Sequence, residues 1–290
     1  MIYVSTTFSK QKKTNLEKVL YQLNKLEIDG IEIGSTHKYQ TKKNLKKIIN
    51  KNLKKNFFVH NFFPPTKDEN FVLNIASSDM NIRKNSLDMI ISNIDFCKDI
   101  GAQLYTIHPG FLSLPIPKTD FNKNIYDFDF DANSVADRSE AFDNMLKSLR
   151  KITNYSKKKH INIAIETEGS IKKKDYLIMQ EPKEYRELFK EIPENLFVNF
   201  NLPHTYFASS CFNFSMNNFI KFLNKRIIAV EISDNDGIDD QHRPLSIRSK
   251  YLSFLNLFKK NLPIILEFRN AKLSDIKNSI NILKTYHEKK

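Results

Sequence analysis

The strongest constraint on the fold is an alternation of short apolar runs with helix-period segments, which the chain repeats eight times. The runs are rich in β-branched and aromatic residues, as strands are, and the segments carry apolar residues at helical spacing. Such alternation requires right-handed crossovers and a parallel sheet, and eight units close into a barrel. The sequence therefore predicts an α/β fold, a single (β/α)8 TIM barrel that occupies residues 1–290 as one domain.

The predicted elements follow one another without an evident linker. The predicted strands are Ile2–Thr6, Gly30–Gly34, Phe57–Phe62, Gln103–His108, Asn162–Glu168, Leu196–Asn201, Ile227–Ser233 and Pro263–Phe268. The predicted helices are Asn15–Leu26, Lys43–Leu53, Ile82–Ile100, Ser134–Lys159, Pro182–Lys190, Met216–Asn224, Ile247–Lys259 and Leu273–His287. A length of 290 residues with 40% hydrophobic content suits one large barrel core.

Composition also bounds where the protein acts and what it binds. The first residues lack the apolar core of a signal peptide, and no run approaches the ~20 apolar residues of a membrane span, so we expect a cytoplasmic protein with no membrane partner. Cys97 and Cys211 lack metal-ligand spacing, which predicts small buried side chains in a reducing compartment. The net charge of +13 suggests nucleic acid, but the lysines are dispersed in short runs, which favours solvated helix faces over a dedicated DNA groove.

Polar residues recur at the carboxyl ends of the predicted strands. Read with a period of two, strands two to eight each place one inward: Glu32, His60, His108, Glu166, Asn201, Glu231 and Glu267. One such residue alone is more often structural, but buried carboxylates at close range repel unless a cation holds them. Several carboxylates around one point therefore indicate a divalent metal, and the mixture with imidazole suits Zn, Mn or a related ion.

Several short motifs follow a familiar order. They are FVHNFF with His60, TIHPG with His108, IETEG with Glu166, NFNLPH with Asn201 and His204, EISD with Glu231, DQH with Asp240 and His242, and ILEF with Glu267. In order and spacing they resemble the xylose isomerase-like TIM-barrel superfamily. That superfamily holds sugar and sugar-phosphate isomerases and epimerases, together with AP endonucleases of the endonuclease IV type.

The resemblance implies three groups of metal ligands. The metal shared by isomerases and nucleases would be surrounded by Glu166, Asn201, Glu231 and Glu267. A second metal, found in the nucleases, would lie beside Glu166 with His60 and His108, and a third would be held by His204, Asp240 and His242. Glu32 is a further candidate for metal or substrate binding.

Two positions of the main site depart from the family pattern. Asn201 stands where the family has aspartate, and Glu231 stands where it has histidine, so the formal charge of the site is kept. A site with only oxygen ligands would favour Mn or Mg over Zn. A site that binds metal poorly and has lost activity is the other interpretation of the two exchanges. The stretch RPLSIRS after His242 also lacks the IGEG-like turn common to both enzyme groups.

Two long connections are expected at the mouth of the barrel. The segment Phe111–Asn133 has no helical period and is predicted to form a lid over the substrate. The segment Ser233–Pro244 either forms a solvated turn or carries Asp240 and His242 over the site. The mouth is expected to be acidic because of Asp127, Asp129, Asp131, Asp236, Asp239 and Asp240.

These observations together predict an isomerase or epimerase that acts on a small polyhydroxylated substrate with a divalent metal, Mn, Zn, Mg or Co. The resemblance implies that Glu166 and Glu267 pass the proton beside a carbonyl. The alternatives are an AP endonuclease-like nuclease and a non-catalytic sugar-binding barrel. Against the nuclease stand the two exchanged ligands and the dispersed positive charge.

Overall fold

A computed structural model describes most of the chain. The described residues are 1–9, 14–34, 37–52, 55–67, 71–117, 128–131, 133–170, 176–237 and 240–288, with backbone only for 115–117, 128–129 and 287–288. No helix among these residues is both long enough and apolar enough to cross a membrane.

Eight parallel strands form a closed barrel, as the sequence predicts. They are β1 (Ile2–Ser5), β2 (Gly30–Ile33), β3 (Asn56–His60), β4 (Leu104–Ile107), β7 (Asn162–Glu166), β8 (Leu196–Asn201), β9 (Ile227–Ile232) and β10 (Ile264–Leu266). Their order around the barrel follows the chain, and β1 closes the ring because Val4 pairs with Leu266 on one side and with Ile31 on the other. The carboxyl ends of all eight strands therefore open at one end of the barrel.

Helices surround the barrel and several begin at capping side chains. They are α1 (Leu16–Leu23), α2 (Lys42–Asn50), α3 (Met80–Ile100), α4 (Arg138–Lys159), α5 (Pro182–Glu191), α6 (Leu202–Phe212), α7 (Met216–Leu223) and α8 (Leu273–Glu288). Asn15, Thr41, Asp79, Asp137 and Ser215 each accept a hydrogen bond from a backbone N–H of the first helical turn. These caps satisfy N–H groups that a helix end leaves without an intrahelical partner.

Apolar side chains close the floor of the barrel. Tyr3, Phe58, Leu104, Ala164, Ala229 and Ile265 form a buried cluster that is separate from the larger core between barrel and helices. The rings of Tyr3 and Phe58 stack with their centroids 4.3 Å apart. Gly30 makes room for this stack, because a Cβ there would lie 2.0 Å from Tyr3 Cε1. Polar inward side chains consequently lie above this floor, toward the open end.

Two features of the helical layer differ from the expectation. The segment predicted as a helix over Ile247–Lys259 is a 3-10 helix over Lys250–Leu257. With three residues per turn, Tyr251 and Phe254 fall in one row and Leu252 and Leu255 in the next, and all four pack on the core. The α6 helix was missed because it follows β8 without a loop and its apolar residues show no clear period.

The connection Phe111–Asn133 contains two short strands that the sequence pattern did not predict. β5 (Pro115–Pro117) and β6 (Phe128–Phe130) pair antiparallel outside the barrel. Residues 118–127 and 132 lie outside the described part of the chain, so the lid remains a prediction.

Cys97 is buried as expected, and burial raises the pKa of its thiol, whereas Cys211 is only half-buried.

Candidate active site

The inward polar residues meet at the open end of the barrel. His60, Glu166 and Asn201 are the last residues of β3, β7 and β8. Glu231 lies within β9, while His108 and Glu267 each lie one residue beyond their strands. The structure therefore brings together one polar side chain from each of six strands, all from the set predicted by the period of two.

Three carboxylates form the central group. One oxygen each of Glu166, Glu231 and Glu267 lies within 4.8 Å of the other two. Between them, the Asn201 amide donates to Glu166 Oε1 and to Glu231 Oε2, each at 2.9 Å. Asn199 donates to the remaining oxygen of Glu231 at 2.5 Å. The Asn201 side chain thus takes part as a hydrogen-bond donor among the carboxylates.

Charge crowding sets the protonation of this central group. Burial, together with the charges of Glu166 and Glu267, raises the pKa of Glu231 well above its ordinary value. Burial alone would raise the pKa of Glu166, but His108, His204 and His60 hold it well below its ordinary value. Glu267 also has a lowered pKa, because His242 outweighs the effect of burial. Glu231 therefore has the highest proton affinity of the three carboxylates.

A second group shares Glu166 with two histidines. His60 Nε2 lies 2.8 Å from Glu166 Oε2, and His108 Nε2 lies 3.4 Å from the same oxygen. The two imidazole rings stand nearly perpendicular, with centroids 5.2 Å apart. Burial lowers the pKa of His60, but Glu166 and Glu32 more than compensate and raise it to about 10.

A third group lies over the central carboxylates, on the segments after β8 and β9. Asp240 Oδ2 lies 3.3 Å from His204 Nε2 and 2.8 Å from His242 Nε2. Burial would raise the pKa of Asp240, but these two histidines hold it well below its ordinary value. The other ring nitrogens point back toward the centre: His242 Nδ1 lies 3.1 Å from Glu267 Oε2 and His204 Nδ1 lies 3.3 Å from Glu166 Oε1. All three groups therefore belong to one connected site.

The donor set fits a divalent metal ion. Asp240 Oδ1 is one of the site atoms that are buried without a hydrogen-bond partner among the described residues. Such atoms are costly unless something binds them. In this site, buried imidazole and carboxylate groups lie in contact and share protons. A bound metal ion would replace those protons. The three predicted ligand groups thus occupy positions in which each can hold an ion.

Glu32 differs from the other predicted site residues. It is fully buried in β2, and neither of its carboxylate oxygens has a hydrogen-bond partner in the described part of the chain. Burial raises its pKa to about 7, although His60 opposes this effect. Glu32 does not belong to any of the three ligand groups. It remains a candidate for substrate binding at the inner wall of the site.

Strained or close backbone positions hold several site residues. Asn61, next to His60, has a φ of 36°, and His242 itself has a φ of 47°. Such values are uncommon for residues other than glycine and often occur at functional sites. Gly169 lies against the first turn of α6, where an added Cβ would be 1.8 Å from the carbonyl oxygen of His204. This close approach places His204 beside the end of β7.

Two side chains of the site were not predicted as ligands or catalytic residues, although the period of two places Glu168 on the inward face with Glu166. Glu168 forms a short ion pair with His108 Nδ1, and Asn199 supports Glu231. A strand period of two was the available signal, since these residues lie two positions from Glu166 and Asn201 respectively.

Along the rim, Asp131 and Asp236 are at least partly exposed, and the side chains of Asp127, Asp129 and Asp239 lie outside the described part. The acidic mouth therefore remains a prediction.

Comparison with known proteins agrees with this fold and confirms the resemblance. A family model for the xylose isomerase-like TIM barrel matches residues 20–285. The chain therefore belongs to the xylose isomerase-like TIM-barrel family.

Individual relatives are distant. The uncharacterized protein MJ1614 of Methanocaldococcus jannaschii is 27% identical over 220 residues, which cover 73% of this chain and 72% of that protein. A D-tagatose 3-epimerase-like protein is similar in structure with a TM-score of 0.72 and 22% identity, over 99% of this chain and 97% of the other. D-psicose 3-epimerase from Clostridium cellulolyticum H10, solved with D-tagatose, has a TM-score of 0.69 and 12% identity, over 99% and 96%. At these identities the structural similarity shows a common fold.

Proposed function

We propose that this protein is a divalent-metal-dependent isomerase or epimerase of a small polyhydroxylated substrate, such as a sugar or sugar phosphate. The observation that carries the proposal is the pair Glu166 and Glu267. They end strands that have β8 and β9 between them, yet their carboxylates converge with Glu231 within 4.8 Å. Two ionised carboxylates that approach one point from different sides are what proton transfer at two faces of a carbon requires.

The central group would hold the ion through Glu166, Glu231, Glu267 and the Asn201 side chain. When bound, the ion would stabilise negative charge on substrate oxygens beside the carbon that loses its proton. Asn201 binds Glu231 through its N–H group in the structure, so binding through its carbonyl requires the amide to turn. The acidic and amide ligands favour Mn or Mg over Zn in this group.

The two glutamates differ in their access to substrate. The Glu166 side chain is 2% exposed, and its oxygens already accept hydrogen bonds from His60 and Asn201. The Glu267 side chain is 12% exposed and contacts His242 Nδ1. A base with fewer donors around it keeps more of its proton affinity. Glu267 is therefore the carboxylate that first takes the proton. On the opposite face, a proton held by His60 passes along the 2.8 Å hydrogen bond to Glu166 and from Glu166 to the carbon, which completes the inversion.

The proposal is tested by a screen of free sugars and sugar phosphates with added Mn, Co, Zn or Mg. Solvent deuterium should enter the substrate at the carbon where configuration changes, because a carboxylate that has taken the proton exchanges it with water. Turnover that requires the metal and incorporates deuterium would support the mechanism. Turnover without deuterium incorporation, or no turnover of any compound in the panel, would count against it.

A second candidate function is phosphodiester hydrolysis by a metal cluster. The specific observation in its favour is that two histidine-bearing groups adjoin the central one, and isomerisation at a single ion does not need them. Cleavage of an abasic DNA duplex at physiological salt, reduced by His108→Ala, would establish this function in place of the first. DNA binding that disappears as salt rises to physiological concentration, with no cleavage, would reflect only the net positive charge.

A further inference from the structure

Glu168 lies between the two histidine-bearing groups. It follows β7 on the same face as Glu166, and it is buried. Glu168 Oε1 pairs closely with His108 Nδ1, and Glu168 Oε2 lies 3.9 Å from His204 Nδ1. His108 belongs to the group of His60 and Glu166, whereas His204 belongs to the group of Asp240 and His242. One carboxylate therefore faces a ligand of each group.

We propose that Glu168 is a positioning residue that orients His108 and His204 together and thereby couples the two histidine-bearing metal groups. This inference rests on the proposed metal-dependent function. A carboxylate that accepts a proton from one ring nitrogen of a histidine leaves the lone pair on the other nitrogen and fixes the plane of the ring. For His108 and for His204, that other nitrogen is Nε2.

The Nε2 atoms face the ligand groups. His108 Nε2 lies 3.4 Å from Glu166 Oε2, and His204 Nε2 lies 3.3 Å from Asp240 Oδ2. With Glu168 on the Nδ1 side of each ring, the Nε2 lone pair of His108 points toward Glu166 and the Nε2 lone pair of His204 points toward Asp240. Glu168 belongs to none of the three ligand groups. Its action on the metal is therefore through the two histidines.

The His204 side of this bridge has a second carboxylate. His204 Nδ1 lies 3.3 Å from Glu166 Oε1, closer than it lies to Glu168. The two carboxylates therefore share the His204 Nδ1–H, with Glu166 at the shorter distance and Glu168 within the range of an ion pair. The effect of Glu168 on His204 is consequently expected to be weaker than its effect on His108.

The test is a titration of the metal-free full chain with MnCl2 and ZnCl2 by calorimetry, for the wild type and Glu168→Gln. Glutamine keeps the size of the side chain but has one acceptor oxygen, so it cannot accept from both histidines. We expect the tightest step, at Glu166, Glu231 and Glu267, to be unchanged. The later steps should weaken about 10–100-fold, as is typical when an outer partner of a metal-bound histidine is lost.

Glu184→Gln is the matched control, because Glu184 is a similarly buried carboxylate outside the site, paired with Arg138 at 2.8 Å. It should leave every step unchanged. Equal affinities of wild type and Glu168→Gln at all steps would overturn the inference alone. Failure of the wild type to bind either ion would overturn the proposed function as well.

A second measurement does not depend on the variant folding. In the zinc-loaded wild type, ¹⁵N chemical shifts of the imidazoles should show Nδ1 protonated and Nε2 ligated for both His108 and His204. Ligation through Nδ1 of either histidine would overturn the inference, because Glu168 could not then accept a proton from that ring.

Discussion

At the scale of single residues, the site depends on carboxylates whose surroundings differ. Burial raises the pKa of Glu231, whereas neighbouring histidines outweigh burial and lower the pKa values of Glu166 and Glu267. The same residue type thus has different proton affinities within one group of side chains. This difference is consistent with the proposed role of Glu166 and Glu267 as bases.

Replacing either base should stop catalysis without unfolding the protein. Glu166→Gln and Glu267→Gln keep the size of the side chain and an oxygen toward the ion, but glutamine cannot accept the proton. We expect turnover to fall by a factor on the order of 10²–10⁴ in each variant, as for loss of a general base. The measurement is the rate of solvent deuterium exchange into substrate. Wild-type exchange rates in both variants would show that the two glutamates do not move the proton.

Asn201→Asp provides a contrasting change in the same group. Aspartate is the residue of the family pattern, and it replaces the N–H donor to Glu166 and Glu231 with a further negative charge. We expect altered metal preference, with Zn gaining relative to Mn, and activity retained. Competition between the two ions followed by elemental analysis measures this preference. An unchanged ion ratio would show that the residue at position 201 does not bind the ion.

His37 links the connections that follow β1 and β2 and should make stability depend on pH. Its Nδ1 lies 2.9 Å from Thr14 Oγ1 and its Nε2 lies 2.8 Å from Thr6 Oγ1. Burial lowers the pKa of His37 to about 4. Because the unfolded chain takes up this proton near pH 6.5, the contribution is complete above that pH and is lost as pH falls toward 4.

The His37→Gln variant isolates this contribution, since glutamine does not titrate. Between pH 7 and pH 5, the free energy of unfolding of the wild type should fall by about 2 kcal/mol more than that of the variant. The chain has no tryptophan, so urea unfolding is followed by far-ultraviolet circular dichroism. Parallel pH dependence in the two proteins would mean that His37 is protonated in the folded state.

At the scale of elements, the contact between the β7 connection and α6 positions His204. A methyl group at Gly169 would lie 1.8 Å from His204 O and 3.0 Å from Ala208 N, so Gly169→Ala must displace the helix. We expect a loss of about 1–3 kcal/mol in the free energy of unfolding, as for overpacking. The displaced His204 should also weaken ion binding at Asp240 and His242.

Gly101→Ala is the control for this prediction. Gly101 has a φ of 71°, and a Cβ there would meet no atom of the described residues within 4 Å. Alanine at that position costs roughly 1–2 kcal/mol for the left-handed backbone but leaves α6 in place. Ion binding measured by calorimetry should therefore distinguish the two glycine variants. Similar ion affinities in the two variants would show that the packing of Gly169 against α6 does not control how His204 binds the ion.

At the scale of the whole molecule, the bound ion should contribute to stability. Removing it leaves the buried carboxylates Glu166, Glu231 and Glu267 balanced only by protons and by neighbouring histidines, and an ion at 100 times its Kd stabilises the folded state by about 2.7 kcal/mol. Purified without chelator, the protein should hold at least one divalent ion per chain. Chelation should lower Tm by several degrees, and Mn should restore it. Identical melting curves before and after chelation, with no ion by elemental analysis, would contradict the metalloenzyme proposal.

The sequence by itself determined the barrel and the set of inward polar residues. Both follow from periodicity: alternation of elements dictates a parallel barrel, and a period of two decides which strand residues point inward. Local spacing is the cause in each case, so no long-range information was needed. The helix α6 was not predicted, because it follows β8 without a loop and its apolar residues show no clear period, and the helix predicted over Ile247–Lys259 is a 3-10 helix over Lys250–Leu257.

Only the tertiary structure decided how the inward residues divide the site. Glu166 and Glu267 are far apart in the chain, and their approach depends on the diameter and closure of the barrel. Glu168 gains its partners His108 and His204 from two other strand ends, which its own neighbours in sequence do not reveal. Proton affinities follow the same rule, since the pKa of a buried carboxyl group is set by charges that folding brings near it.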